Sequence, residues 1–238
     1  MDQIALPLHP SQYEIYVDQL LNTESPHYNI GLYIKLKGSL NKEMFRETIR
    51  SSSDVFDAFR MRFDFSQSEP LCYFDESYEG AEIAEMDLSD KNNPENEAIS
   101  WMQNQFNTPF SIQKDKLLFE FALIKVSPDE NWFFFRYHHL IIDGYGFNLW
   151  VNYVARKYRS LLEGQNLEVD YPSYKNEIIK ASNYRSSFDY EIDEAYWKDK
   201  IGEKSEALLK RSINSAIKPT KKGGKYYVTI SNDQRDAF

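Results

Sequence analysis

A single cysteine in 238 residues excludes an internal disulfide, and a cytoplasmic protein is the simplest expectation. No apolar run approaches the length of a membrane span, and Met1-Asp2-Gln3 does not open a secretory signal. There is no internal repeat and no low-complexity segment. Basic residues are in deficit: 28 Lys and Arg against 37 Asp and Glu give a formal charge of -9, which argues against general nucleic-acid binding. Histidine is scarce, with four in the chain. A metal site would have to start from His139 and Asp143, while His9 and His27 lie far off in sequence and Cys72 is alone. Zinc needs three or four ligands, so metal chemistry is not expected.

Apolar residues make up 42% of the chain and aromatics 16%, enough for one good-sized core. The most informative stretch is Arg136-Tyr137-His138-His139-Leu140-Ile141-Ile142-Asp143-Gly144-Tyr145-Gly146, preceded by Trp132-Phe133-Phe134-Phe135. Both alternating sets of the aromatic run are largely apolar, which predicts a strand buried on two faces. The period of two then sends His138 and His139 to opposite faces. His139 shares a face with Phe133, Phe135 and Tyr137; His138 shares one with Trp132, Phe134 and Arg136. The two imidazoles should therefore have different jobs, and one at most can face a given cleft.

Around this strand the pattern predicts a helix over 12–21, opened by a capping box at Ser11-Gln12-Tyr13-Glu14. A half-buried strand is expected at 30–36, and a helix capped by Asn41 with Leu40 and Phe45 as a hydrophobic staple. Met61, Phe63 and Phe65 alternate with Arg60, Arg62 and Asp64 in a strand that is hairpin-linked to another at 71–74. Asn93-Pro94-Glu95 starts a helix running to about residue 106. Strands at 117–126 and through the histidines form a second hairpin. A helix over 147–162 ends at Gly164, a loop follows over 165–172, and one long helix covers 174–201. The segment 203–224 reads as mostly loop, with a basic cluster that is either a solvated face or a contact for an acidic carrier. A strand at 226–230 and a cap at Ser231-Asn232-Asp233 close the chain. Only five residues follow that cap, too few for a stable helix, so the chain is expected to stop short of a larger whole.

His138-His139-Leu140-Ile141-Ile142-Asp143-Gly144 matches the HHxxxDG motif of condensation domains from nonribosomal peptide synthetases. Three further segments resemble that family in order and spacing. Leu6-Pro7-Leu8-His9-Pro10-Ser11-Gln12 is similar to its opening PLSxxQ segment, Phe59-Arg60-Met61-Arg62-Phe63 to its LRTRF-type segment, and Tyr196-Trp197 to its late YW pair. The resemblance implies an α+β fold of the chloramphenicol-acetyltransferase-like kind, a mixed β-sheet with flanking helices. It also implies that residues 1–238 are the N-terminal one of two lobes, with 231–238 starting the crossover to an absent C-terminal lobe.

The chemistry implied is amide formation between an acyl or peptidyl thioester and an aminoacyl thioester, an acyltransferase-type reaction. Both substrates ride on phosphopantetheine arms of donor and acceptor carrier proteins, and no cofactor is bound directly. His139 is the expected catalytic residue, as base or as a hydrogen-bonding group; His138 is expected to be scaffold. Asp143 is expected to turn away from the tunnel and pair with Arg60 or Arg62, because a buried unpaired charge is costly. Gly144 is expected to let the backbone approach the thioester and to offer its N–H to an oxyanion. Tyr145-Gly146 departs from the commoner Trp-Ser after DG and is more similar to domains that take an aryl or fatty acyl donor. Alternatives from the same superfamily are an epimerisation domain, whose usual Trp after DG is missing here, and a non-catalytic carrier-binding module, whose histidine motif is usually degraded. A glycerolipid acyltransferase would use His138 and Asp143 as HxxxxD, without the membrane segment expected of one. No nucleic acid or membrane partner is expected.

Overall fold

The aromatic run does form a strand buried on both faces. In the computed structural model, which describes residues 4–66, 68–112 and 116–202, this strand is β7 (Glu130–His138), flanked on both sides. Antiparallel β2 (Asn29–Lys37) pairs Asn29 with His138 and Lys37 with Glu130, and antiparallel β6 (Phe119–Ser127) pairs Phe119 with Tyr137. Parallel β5 (Ile83–Asp87) completes the sheet in the order β2-β7-β6-β5. A parallel neighbour cannot be reached by a tight turn, and the chain makes the crossover with helix α3 (Pro94–Asn107). The sheet is therefore mixed, as expected, although β5 itself carries no clear alternation and was not foreseen.

The two faces of β7 bury different things. Phe133 and Phe135 pack towards helices α2 (Lys42–Val55) and α4 (Gly144–Leu162), with Phe45 edge-on to Phe133 at 4.9 Å and Trp150 edge-on to Phe135 at 5.3 Å. Trp132 and Phe134 join Ala98 and Met102 of α3 in a separate cluster on the other face. There Arg136 is buried but paired, to Glu120 at 2.8 Å, and it donates to the carbonyls of Gln105 and Thr108 at the end of α3. Asn29 donates to the carbonyls of Phe106 and Thr108 at 2.7 and 2.8 Å. Donors on the last carbonyls of a helix satisfy groups that the helix itself leaves open, so β7 and β2 both hold the exit of α3.

A second antiparallel sheet has the order β1-β4-β3, from β1 (Leu6–Pro7), β4 (Leu71–Phe74) and β3 (Met61–Asp64), the last two forming the expected hairpin. Helix α1 (Pro10–Leu20) starts two residues earlier than expected. His9 is its cap, Pro10 occupies the first turn, and the reciprocal bond comes from Gln12. At the end of α4, Gly164 has φ +66, and Gln165 N–H reaches back to the Ser160 carbonyl at 2.8 Å. That left-handed exit is open to glycine at little cost.

The long helix expected over 174–201 is two: α5 (Tyr174–Arg185) and α6 (Phe188–Ile201). The break lies at Ser186-Ser187. Ser187 Oγ accepts from Tyr190 N–H at 3.2 Å, giving α6 a cap of its own. The chain divides into two units, residues 1–191 and 192–238. Of the second, 192–202 is described and continues α6, with Lys198 paired to Glu194 at 3.1 Å. Tyr196 and Trp197, the expected YW pair, lie there and are exposed. The loop, strand and cap expected beyond residue 202 lie outside the described residues.

Candidate active site

The end of β7 separates the two histidines as the strand period requires. His138 is 1% exposed. Its Nδ1 accepts from Leu140 N–H at 3.1 Å, so the proton sits on Nε2, which donates to Gln19 Oε1 at 3.2 Å. Burial pushes its pKa down to about 3, with the neighbouring His139 and His27 adding to the shift. His138 is thus a neutral imidazole with both nitrogens engaged, and it fixes the tight turn that follows the strand. Gln19 was not foreseen as its partner; a glutamine on the buried side of an otherwise amphipathic helix was the available signal.

His139 faces the other way. Its backbone N–H donates to the Tyr28 carbonyl at 2.9 Å, one step past the last pair of the β2–β7 ladder. Its side chain is half-buried, has no hydrogen-bond partner among the described residues, and lines a cleft of about 400 Å³. The cleft wall is mostly apolar and includes Ile15, Phe56, Ile141, Ile142 and Leu149. Leu140, the next residue, is held from α1: Gln12 Nε2 donates to its carbonyl at 2.6 Å, while Gln12 Oε1 accepts from His9 N–H at 3.1 Å. The carboxamide is 2% exposed. It spans 128 residues of sequence to fix the backbone on which His139 is mounted.

Asp143 opens α4. Its Oδ1 accepts from Gly146 N–H at 2.8 Å and its carbonyl from Phe147 N–H at 2.9 Å, so the helix begins at Gly144 rather than Phe147. An ionised cap at a helix N-terminus satisfies two needs together, an open donor and the positive end of the dipole.

The sequence matches the family described as Condensation domain over residues 2–238. The chain belongs to the condensation-domain family. It is 28% identical over 216 residues to the dimodular nonribosomal peptide synthase of Bacillus subtilis (strain 168), covering 88% of this chain and 9% of that protein. To enterobactin synthase component F of Escherichia coli (strain K12) it is 26% identical over 196 residues, covering 81% and 15%. Among solved structures, the starter condensation domain of rhizomide synthetase RzmA matches with a TM-score of 0.79 at 30% identity, covering 85% of this chain and 49% of that one. The chain thus spans about half the length of that solved condensation domain and a small part of either synthetase.

Within this condensation-domain chain the HHxxxDG motif is one continuous corner, from the last residue of β7 to the first of α4. Two expectations need correction. Asp143 lines the cleft instead of turning from it, and no ion pair joins it to either arginine. Arg60 pairs with Glu76 at 2.8 Å. Arg62, 5% exposed, lies 3.5 Å from Asp75, donates to the carbonyls of Phe59 and Met61, and stacks over Tyr78. Each arginine of the Arg60-Met61-Arg62 segment has an acid on the β4 side closer to hand. Gly144 is exposed and does not line the cleft, and a Cβ added there would meet nothing within 4 Å. The glycine that the corner needs is Gly146, where a Cβ would sit 3.0 Å from Ile142 Cγ1.

The far wall was not legible beforehand. Asp57, in the 3₁₀ turn Asp57–Arg60, accepts from Ser173 Oγ at 2.6 Å and from the N–H groups of Tyr174 and Lys175 at 3.0 and 3.1 Å. It therefore caps α5 from a distant segment and seats Tyr174 in the cleft wall. Burial raises the Tyr174 phenol to about 12, with Cys72, Asp143 and Asp57 contributing, so its hydroxyl keeps its proton at neutral pH. Among the described residues no group of three His, Cys, Asp or Glu is placed to hold a metal ion.

Proposed function

We propose that this chain supplies the N-terminal lobe of an acyltransferase-type site that joins an acyl or peptidyl thioester to the amine of an aminoacyl thioester. The observation that carries this reading is the contrast between the histidines. His138 is consumed by structure, whereas His139 is held on a fixed backbone with a free imidazole edge in a cleft. In the reaction the amine attacks the thioester carbonyl carbon, the nitrogen loses a proton, and the thiolate of the donor arm departs with one. The adjacent thioester lowers the α-amine pKa below its reference value of about 7.7–8.0, so much of the amine is unprotonated near neutral pH and the demand for a strong base is modest. His139 holds the attacking amine by a hydrogen bond and takes the proton as the bond forms. The N–H of Tyr145, a cleft-lining residue at the open end of α4, is the nearby source of oxyanion stabilisation. His138 and Asp143 support the corner, whereas Arg60 and Arg62 brace the β4 side of the lobe.

In this reading the phosphopantetheine arms belong to the donor and acceptor carrier proteins, and the cleft is completed by a C-terminal lobe. Positioning two arms end to end then accounts for much of the rate. The test is His139→Ala in the full-length protein, supplied with loaded donor and acceptor carriers. Loss of amide product with an unchanged melting temperature is expected; an unchanged rate would remove His139 from the mechanism. Inversion of a carrier-bound residue without amide formation would point to epimerisation instead. The 238-residue chain alone is expected to give no appreciable turnover.

A further inference from the structure

His9 stands where the opening PLSxxQ segment has serine. The capping task is met all the same, since His9 Nδ1 accepts from Ser11 N–H at 3.3 Å. Serine would do this with its hydroxyl and leave nothing over. The imidazole leaves Nε2, which carries the proton once Nδ1 accepts, with no protein partner among the described residues. His9 lines the same cleft as His139. Its ring centroid lies 6.3 Å from that of Tyr174, whose protonated hydroxyl also has no protein partner among the described residues.

We infer that His9 and Tyr174 form a pair of hydrogen-bond donors in the cleft wall that selects an acyl group bearing an oxygen acceptor, a hydroxyl or carbonyl beyond the thioester, over a plain hydrocarbon acyl group. The inference rests on the amide-forming reading and deepens it. Both donors are fixed before any ligand arrives: His9 by Gln12 through its backbone N–H, and Tyr174 by Asp57 through its own. Preorganised donors lose little freedom on binding. The side chains of Ile15, Phe56, Ile141, Ile142 and Leu149 in the same wall carry no acceptor. The three cleft carboxylates are engaged elsewhere, Asp57 on Ser173 Oγ and the first N–H groups of α5, Asp143 on Gly146 N–H, and Glu177 near Lys180 at 3.8 Å. A hydrocarbon chain would strip water from both donors and return nothing, which is how polar sites reject apolar analogues.

The experiment measures binding to the full-length protein by calorimetry. The ligands are acyl-pantetheine thioesters of equal chain length: plain, 3-hydroxy, 3-oxo and N-acylaminoacyl. At least one oxygen-bearing ligand is expected to bind about 10-fold tighter than the plain chain, or ~1.4 kcal/mol. His9→Ser, which keeps the cap, and Tyr174→Phe should each remove most of that preference while leaving the plain ligand within about two-fold. Equal affinity for all four ligands in the wild type, or equal weakening of all four in the variants, overturns the inference. A parallel amide assay with loaded carriers separates the two failures. Product without ligand preference defeats the donor pair alone, and ligand preference without product defeats the condensation reading.

Discussion

Gln12 is the most economical place to test how the corner that carries His139 is held. Gln12→Met keeps the side-chain volume and removes both of its polar atoms. Three bonds go: the 2.6 Å bond to the Leu140 carbonyl, the 3.1 Å bond from His9 N–H and a weak 3.5 Å bond to Met61 Sδ. The site is 2% exposed, so water does not readily replace the first bond. A stranded buried polar group costs about 1–3 kcal/mol. The carbonyl carries that in full, and the partly exposed His9 N–H carries less. The total is therefore about 2–4 kcal/mol, lessened by whatever the apolar side chain gains against Met61. For a chain of this size about 1 kcal/mol moves the melting temperature by ~2–4 °C, so a drop of roughly 5–15 °C is expected. Urea titration measures the free energy directly, and the midpoint should move without a change in slope. In the full-length protein, amide formation should fall further than the lost stability explains, because Leu140 carries the backbone of His139. A loss below about 0.5 kcal/mol would refute the argument that this carboxamide fixes the corner.

His138 makes stability depend on pH. Its folded pKa is about 3, so between there and the reference value of ~6.5 the unfolded chain binds a proton that the folded chain does not. Stability should fall as pH drops through that window, by at most ~1.4 kcal/mol per pH unit from this group. His138→Gln should remove that part of the slope in denaturation series between about pH 4.5 and 7, and parallel curves for the two proteins would refute it. Gly146→Ala should cost about 1 kcal/mol, because Ile142 must give way to the new methyl group, whereas Gly144→Ala should be neutral or slightly stabilising by helix propensity. Denaturant midpoints distinguish the two glycines, and equal effects would refute the assignment.

The sequence was most legible where one physical rule dominated. An aromatic run with both alternating sets apolar had few options besides a doubly buried strand, and the strand period then placed the histidines correctly. The α4 and α5 boundaries were harder, because each depends on a side chain that bonds across the fold or back along it. Asp143 starts α4 three residues before the apolar pattern does. Asp57 starts α5 from more than a hundred residues away, and no local window contains it. Asp143 was expected to pair with an arginine because the family resemblance implied it and an inward-pointing Arg60 or Arg62 would need an acid. It is exposed, and a helix N-terminus meets its charge. β5 was missed for a related reason: a short edge strand, with Ile83 and Met86 out of step, shows no period of two.

The two histidines differ by one position in sequence and by everything in environment, and the sheet is the cause. Parity in β7 sends one ring into the layer with Phe110 and Tyr28, where burial strips its proton and Gln19 and Leu140 take both nitrogens. The same parity leaves the next ring on the α4 side, beyond Tyr137 and past the last paired residue of the ladder, where no neighbour claims it. A one-residue slip of β7 against β2 would exchange these fates, burying His139 and exposing His138. The double burial of the strand opposes such a slip only weakly, because both faces are apolar. The polar ties decide it: Arg136 to Glu120 and the end of α3, Asn29 to the same carbonyls, Gln12 to Leu140. Each bonds in one register only. The polar residues of this core therefore serve the cleft by choosing which imidazole it receives.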